Sequence, residues 1–384
     1  MNHRIPARQA AVLKAGVAII ASSVLASCGA DVQSQRYSRN QAQKSLARLE
    51  KPGLVIGEFK LAAKDPILDG DTVKVAGLQS TLRLLAIDTE ETFKNEQDRR
   101  DAADDFDAYL RKKRGDRARP VKAATPLGEE AKKWAKEFFQ GATRIRLERD
   151  HPREIRGVYG RYLTYIMVEK DGAWLNYNLE CVRAGMSPYF SKYGYSRRFH
   201  DQFVTAQKQA RQARRGIWDP SKQKYPDYDE RLAWWDARAD FIRAFENEAG
   251  DKQHYIPLTN WDSMQRLEAH EGREVYILGT VARVKLGQKG PSKVFLARRR
   301  TSSFPIVFFD KDVMGNTRIA DARGEFVVVR GTVSKYFNKY RKVDELQVVV
   351  TLPGQVELSE IPSFSAPTTA TSMNSPEQDK KTAD

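Results

Sequence analysis

The strongest constraint in this chain lies between Leu68 and Glu91, where two short strand patterns each end in carboxylates. One arm carries Asp69-Gly70-Asp71-Thr72; the other runs Leu82-Arg83-Leu84-Leu85-Ala86-Ile87 into Asp88-Thr89-Glu90-Glu91. Pairing around Ala76-Gly77-Leu78 would bring Asp69 and Asp71 near Asp88 and Glu91. Carboxylates gathered this way repel one another unless a cation stands among them. A hard divalent ion, Ca2+ or Mg2+, takes oxygen ligands from such groups. An acidic turn with no ion is the plainer alternative, and Arg83 is what favours a site. It interrupts an otherwise apolar strand, and a cation buried there needs an anionic partner. Strict alternation puts Arg83 and Asp88 on opposite faces, so a bulge or strand end is required near Ile87.

Around this ribbon the chain reads as mainly β with flanking helices, an α+β class. Strand patterns occupy 53–59, 72–75, 81–87, 144–148 and 162–169, with helical spacing at 128–139, 175–184 and 197–214. Strands curled about so few helices predict a small β-barrel with flanking helices over 53–219, a class that includes the OB-fold. A charge-dense insertion, 92–124, holds Asp98-Arg99-Arg100-Asp101 and Arg111-Lys112-Lys113-Arg114. It reads as a solvated loop or short helix whose basic end is a candidate nucleic-acid contact. Residues 220–254 form a helical linker in which Leu232, Trp235, Ala239, Ile242 and Phe245 recur at helical spacing and should pack between two domains. Strand patterns at 274–285, 293–297, 304–309, 325–335 and 345–351 predict a second, OB-like β-barrel over 255–358. Residues 359–384, rich in Ser, Thr, Ala and Pro, should be disordered.

Lys and Arg number 65 against 50 Asp and Glu, and the formal charge of +15 favours polyanionic partners, nucleic acid or an anionic membrane. Two cysteines exclude a disulfide scaffold and a four-thiolate metal site; the five histidines lack the spacing of a zinc hydrolase. Cys181, among Leu179, Val182 and Ala184, reads as a buried core thiol. The leader, 1–28, places Arg4, Arg8 and Lys14 ahead of or beside an apolar run, 15–25, too short to span a bilayer; this is the pattern of a secretory signal. Its end, Leu25-Ala26-Ser27-Cys28, resembles the lipobox of bacterial lipoproteins. That resemblance implies lipidation of Cys28, membrane attachment through it, and a place in the cell envelope outside the cytoplasm, periplasm-facing or on the outer membrane. Residues 29–52 would be the tether.

Residues 68–91, then Val158-Tyr159-Gly160-Arg161-Tyr162-Leu163, Asn178 with Gly185, and Gly216-Ile217-Trp218 together resemble the staphylococcal nuclease (thermonuclease-like) family over roughly 53–219. The resemblance implies a Ca2+-dependent endonuclease, a phosphodiesterase hydrolysing DNA or RNA to 3′-phosphate products. By the same resemblance Asp71 and Asp88 would bind the ion through carboxylates and Thr89 through its carbonyl, with Asp69 in the outer shell. Glu91 would be the general base, Arg83 and Arg161 the phosphate clamps, and Tyr159 a further phosphate contact. Tyr189 and Tyr193 are candidates for the later substrate tyrosines. Two departures stand out: Glu90 replaces the usual proline and sets a charge beside the base, and Val158 replaces a phosphate-binding lysine. A catalytically inactive nucleic-acid-binding module and an envelope scaffold protein are the alternatives. For the C-terminal barrel, Arg298-Arg299-Arg300 and the Lys335–Lys342 hairpin interleave cations and aromatics, which suits single-stranded nucleic acid; a protein ligand stays open.

Overall fold

The computed structural model describes residues 53–78, 82–154, 157, 161–299, 302–339 and 342–364. The leader with Cys28, the tether, Val158, Tyr159 and residues 365–384 lie outside them. The first half runs β1 (Val55–Phe59), β2 (Ile67–Asp69), β3 (Thr72–Val73), β4 (Leu82–Leu84), α1 (Glu96–Asp104), α2 (Phe106–Arg114) and α3 (Pro126–Phe138). It continues through β5 (Ile145–Glu148), β6 (Tyr162–Lys170), β7 (Ala173–Asn176), α4 (Tyr177–Arg183) and α5 (His200–Gln212). β6 organises the sheet, antiparallel to β5 and β7 and parallel to β4. β1 pairs with β5, giving the order β1-β5-β6-β4 with β7 on β6. Leu82, Leu84, Leu147, Ile166 and Val168 pack in one core with Ala131 and Ala135 of α3 and with α4, where Cys181 is buried.

The acidic ribbon folds differently from the expected hairpin. β2 and β3 pair with each other, Asp69 opposite Thr72, and Gly70-Asp71 is the turn between them. β4 pairs instead with β6, because a ladder inside the apolar core supports Leu82 and Leu84 where a two-residue arm would not. The strand end required near Ile87 is present: β4 stops at Leu84, and Ala86 turns the chain with a left-handed φ of 62°. Of the two readings of the insertion, loop or short helix, the helical one holds. α1 and α2 are capped by Asn95 and Asp105 and bury Ala102 and Tyr109 with Leu127, Ile217, Tyr225 and Tyr228. The helix read from Leu175 starts at Tyr177, since 173–176 pair with β6 and Asn176 caps the helix.

The second half runs α6 (Tyr228–Ala249), β8 (Tyr255–Pro257), α7 (Ser263–Ala269), β9 (Glu274–Lys285), β10 (Ser292–Arg299) and β11 (Ser302–Phe308). It ends with α8 (Lys311–Thr317), β12 (Phe326–Asn338), β13 (Val343–Val349) and β14 (Val356–Leu358). The order β9-β10-β11-β13-β12 returns to β9, so five strands close a barrel, with β11 and β13 parallel. Closure pairs the strand edges that an open sheet would leave exposed. The barrel expected from the five alternating segments is therefore present, with α8 between its third and fourth strands.

α6 joins the two halves. Leu232, Trp234 and Trp235 pack with Phe190, while Ile242 and Phe245 pack with Tyr255, Leu278, Phe326 and Val328 of the barrel. Between them Arg238, 1% exposed, is ion-paired with the fully buried Glu325, which Arg119 of the insertion also meets at 2.9 Å. On the other flank the Trp261 N–H donates to the Arg153 carbonyl at 3.1 Å, and Arg153 pairs with Asp262 at 3.6 Å. Removing Glu325 strands a buried guanidinium, so Glu325→Ala is expected to cost about 3–5 kcal/mol in urea unfolding. A loss no larger than a surface pair's ~0–1 kcal/mol would contradict this role.

Candidate active site

β4 hides Leu82 and Leu84 and turns Arg83 to the other face, where its side chain is 16% exposed. There Nη1 donates to Asp71 at 2.7 Å and Nη2 to Asp88 at 2.9 Å, with the guanidinium 5.1 Å from the Phe190 ring centre. Three contacts fix the backbone that carries these carboxylates. The Tyr177 hydroxyl donates to the Gly70 carbonyl at 2.6 Å; the Ser187 hydroxyl accepts from the Asp88 N–H at 2.8 Å; the Phe190 N–H donates to the Ala86 carbonyl at 3.0 Å. Asn178 ties the end of β4 to β6, donating to the Leu85 carbonyl at 2.7 Å and accepting from the Ile166 N–H at 3.1 Å. Gly185 and Gly216 also act through their backbones. The Ile217 N–H bonds the Gly185 carbonyl at 2.8 Å, and a Cβ on Gly216 would lie 2.0 Å from that oxygen.

Glu91 is set by α3. Thr125 caps the helix, its N–H donates to the Glu91 carbonyl at 3.0 Å, and Gly128 passes so close that a Cβ would lie 2.1 Å from that oxygen. Two ammonium groups meet the Glu91 carboxylate, Lys94 and Lys122, each at 3.4 Å. Lys122 also binds Asp88 at 2.8 Å. Burial alone would raise the Asp88 pKa, but Lys122 and Arg83 hold it below the ordinary aspartate value. Asp69 goes the other way: burial and the neighbouring Asp71 push it up to about 7. The Asp69 Oδ1 and the Thr89 hydroxyl are buried without hydrogen-bond partners among the described residues.

Glu90 does not set its charge beside the Glu91 carboxylate. Its side chain turns inward, 1% exposed, and accepts from the Tyr225 N–H at 2.8 Å, the Tyr228 hydroxyl at 2.7 Å and the Thr125 hydroxyl. Glu90 thus ties the site loop to the start of α6. Its pKa is raised by burial, against those three bonds.

Asp69, Asp71, Arg83, Asp88, Glu91 and Arg161 line one cavity of about 580 Å³. Tyr193 lies on it and is 64% exposed. Tyr189 does not: it is buried, stacked on Phe203 at 5.0 Å, and its hydroxyl accepts from the Ser196 N–H at 2.8 Å. As a substrate tyrosine it is therefore withdrawn, because packing holds it in the core. Lys122 and Lys192 also line the cavity and escaped the sequence reading; both lie in stretches with no motif. Burial and then Arg238 lower the Lys192 pKa to about 8. Among the described residues no three His, Cys, Asp or Glu side chains are grouped to hold a metal, and Arg83 and Lys122 stand between the carboxylates.

The model of the family described as "Staphylococcal nuclease homologue" matches residues 81–220. An uncharacterized protein of Methanocaldococcus jannaschii, MJ1439, is 29% identical over 161 residues, which span 40% of this chain and 69% of that protein. Asp69 and Asp71 precede the family match, and the turn between β2 and β3 brings Asp71 to Arg83 within it. The family match thus takes in Arg83, Asp88, Glu91 and Arg161, and a closed five-stranded barrel follows it.

Proposed function

We propose that this protein hydrolyses phosphodiester bonds of DNA or RNA in the cavity around Arg83. The observation that carries this reading is the meeting of Asp71 and Asp88 on one guanidinium, with Glu91 and Arg161 on the same cavity. Arginine forks suit the paired oxygens of a phosphate. A phosphate between Arg83 and Arg161 would have both its charge balanced and its orientation fixed. Glu91 would take a proton from a water attacking phosphorus in line with the leaving 5′ oxygen, so that the phosphate stays on the 3′ side. Carboxylates and phosphate compete for the Arg83 protons, so neutralising Asp71 and Asp88 favours transfer of the guanidinium to the substrate.

The site's donors suit Ca2+, being oxygens only, and the buried, unpartnered Asp69 Oδ1 is the kind of acceptor an ion's hydration shell satisfies. Asp71, Asp88 and the Thr89 carbonyl would hold it, with Asp69 behind them. Bound there, the ion would supply positive charge to the phosphate and to the attacking water. Lys122 engages Asp88 and Glu91 and would compete with the ion for them. A second reading, nucleic-acid binding without hydrolysis, draws on the same contacts, since Lys94 and Lys122 already engage both oxygens of the Glu91 carboxylate. The leader supports a lipid anchor at Cys28 and an envelope location, which would give the enzyme access to extracytoplasmic nucleic acid.

Three outcomes test these assignments. Glu91→Gln should lower turnover by about 10²- to 10⁴-fold while DNA affinity stays near wild type; undiminished cleavage would remove Glu91 from the base role. Lys122→Met should tighten Ca2+ binding by about tenfold in calorimetry without DNA, and unchanged affinity would mean the ammonium does not compete with the ion. Cys28→Ser should move the protein from the membrane fraction to the soluble one; continued retention would count against lipidation.

A further inference from the structure

Lys192 brings an amine to the cavity that the hydrolytic reading does not use. It stands two residues after Phe190, whose ring lies 5.1 Å from the Arg83 guanidinium. α6 fixes its backbone: the Arg238 Nε donates to the Lys192 carbonyl at 3.1 Å, and the Ser191 hydroxyl donates to Asp236 at 2.7 Å. The Lys192 Nζ lies 4.3 Å from the Trp234 ring centre. Among the described residues it has neither an ion pair nor a hydrogen bond. Asp88 and Glu325 act on it only from a distance and are already engaged, Asp88 by Arg83 and Lys122, Glu325 by Arg119 and Arg238. Burial and the Arg238 guanidinium disfavour the ammonium and lower its pKa to about 8. At neutral pH that leaves roughly two orders of magnitude more free amine than an ordinary lysine has. A free amine attacks carbonyl carbon, and desolvation beside another cation is a way of activating a lysine for it.

We propose that Lys192 is the nucleophile of a second activity, cleavage of DNA at sugars that have lost their base. This rests on the reading in which Arg83 grips a backbone phosphate, which brings the neighbouring sugar into the cavity that Lys192 also lines. The chemistry selects the substrate. An intact nucleotide carries no aldehyde, whereas a deoxyribose without its base opens to one at C1′. The Lys192 amine adds to C1′ and water leaves, giving an imine. Protonation of the imine acidifies C2′; a C2′ proton passes to water, the C3′–O bond breaks, and the phosphate on the 3′ side departs. Water then hydrolyses the imine, returning the amine and leaving an unsaturated aldehyde on the upstream fragment. The downstream fragment begins with a 5′-phosphate, where the hydrolytic reaction would leave it a 5′-hydroxyl.

The test uses the full chain and short DNA with one abasic site, in chelator so that Ca2+-dependent hydrolysis is off. Borohydride reduces the imine and should fix the protein covalently to the DNA. DNA with tetrahydrofuran in place of the abasic sugar has no aldehyde and should give no adduct. Peptide mass mapping should place the sugar on Lys192. Lys192→Met should lose the adduct; Lys192→Arg, which keeps the charge, should lose it too and serves if the first variant does not fold. Without borohydride the downstream fragment should carry a 5′-phosphate. No adduct, an adduct mapped to another lysine, or undiminished trapping by a folded variant would overturn the proposal. Hydrolysis is scored separately, on intact DNA with Ca2+. A protein that traps abasic DNA but leaves intact DNA whole would overturn hydrolysis alone, and one that cleaves intact DNA without trapping would overturn only the role of the amine.

Discussion

Everything at the site depends on a buried cation. Arg83 interrupts an apolar strand, and burying its guanidinium would be prohibitive without Asp71 and Asp88 at 2.7 and 2.9 Å. The reverse dependence is as strong, since those carboxylates could not share so small a space without positive charge between them. β4 supplies the arginine, the turn between β2 and β3 supplies Asp71, and the left-handed residue Ala86 brings Asp88 back to the same side. Each element is short, two or three residues in β3 and β4, and holds its place through contacts from elsewhere. Tyr177, Asn178, Ser187 and Phe190 are those contacts, and all come from one stretch around α4.

The same logic extends outward to the second half of the chain. Glu90 is bonded to Tyr225 and Tyr228, so the loop bearing Glu91 is tied to the first turn of α6. α6 in turn carries Arg238 to Glu325 and the barrel. Both are buried polar links, specified by charge and hydrogen bonding, and each tolerates few geometries. Residues 81–220 and the barrel consequently line one cavity, whose wall includes residues that a description of residues 81–220 alone would omit.

Periodicity made the barrel legible. Its five strands alternate over seven to thirteen residues, long enough for the pattern to reveal each one. The residues that line the cavity at Arg83 were singled out by motifs in order, and Arg83 itself by its conflict with its surroundings. What the sequence could not reveal were partners far apart in the chain. Lys122 lies 34 residues from Asp88, and Glu90 lies 138 from Tyr228. Local spacing carries no information about such pairs, so Glu90 read as a charge near the base and not as a buried anchor. Tyr189 misled for a related reason: its aromatic neighbours suggest a surface cluster equally well as a core, and only its stacking on Phe203 decides between them. The paired arms of the acidic ribbon were assigned to each other because they are close in sequence, while the longer ladder on β6 was the stronger partner.

The central claim is that the two carboxylates, the general base and the arginines act together on a phosphodiester. Digestion of a defined end-labelled oligonucleotide by the purified protein, with Ca2+ and with chelator, followed by mass analysis of the fragments, addresses it directly. The account predicts fragments ending in 3′-phosphate, formed with Ca2+ and suppressed by chelation. Intact oligonucleotide under both conditions, or fragments ending in 3′-hydroxyl, would contradict it.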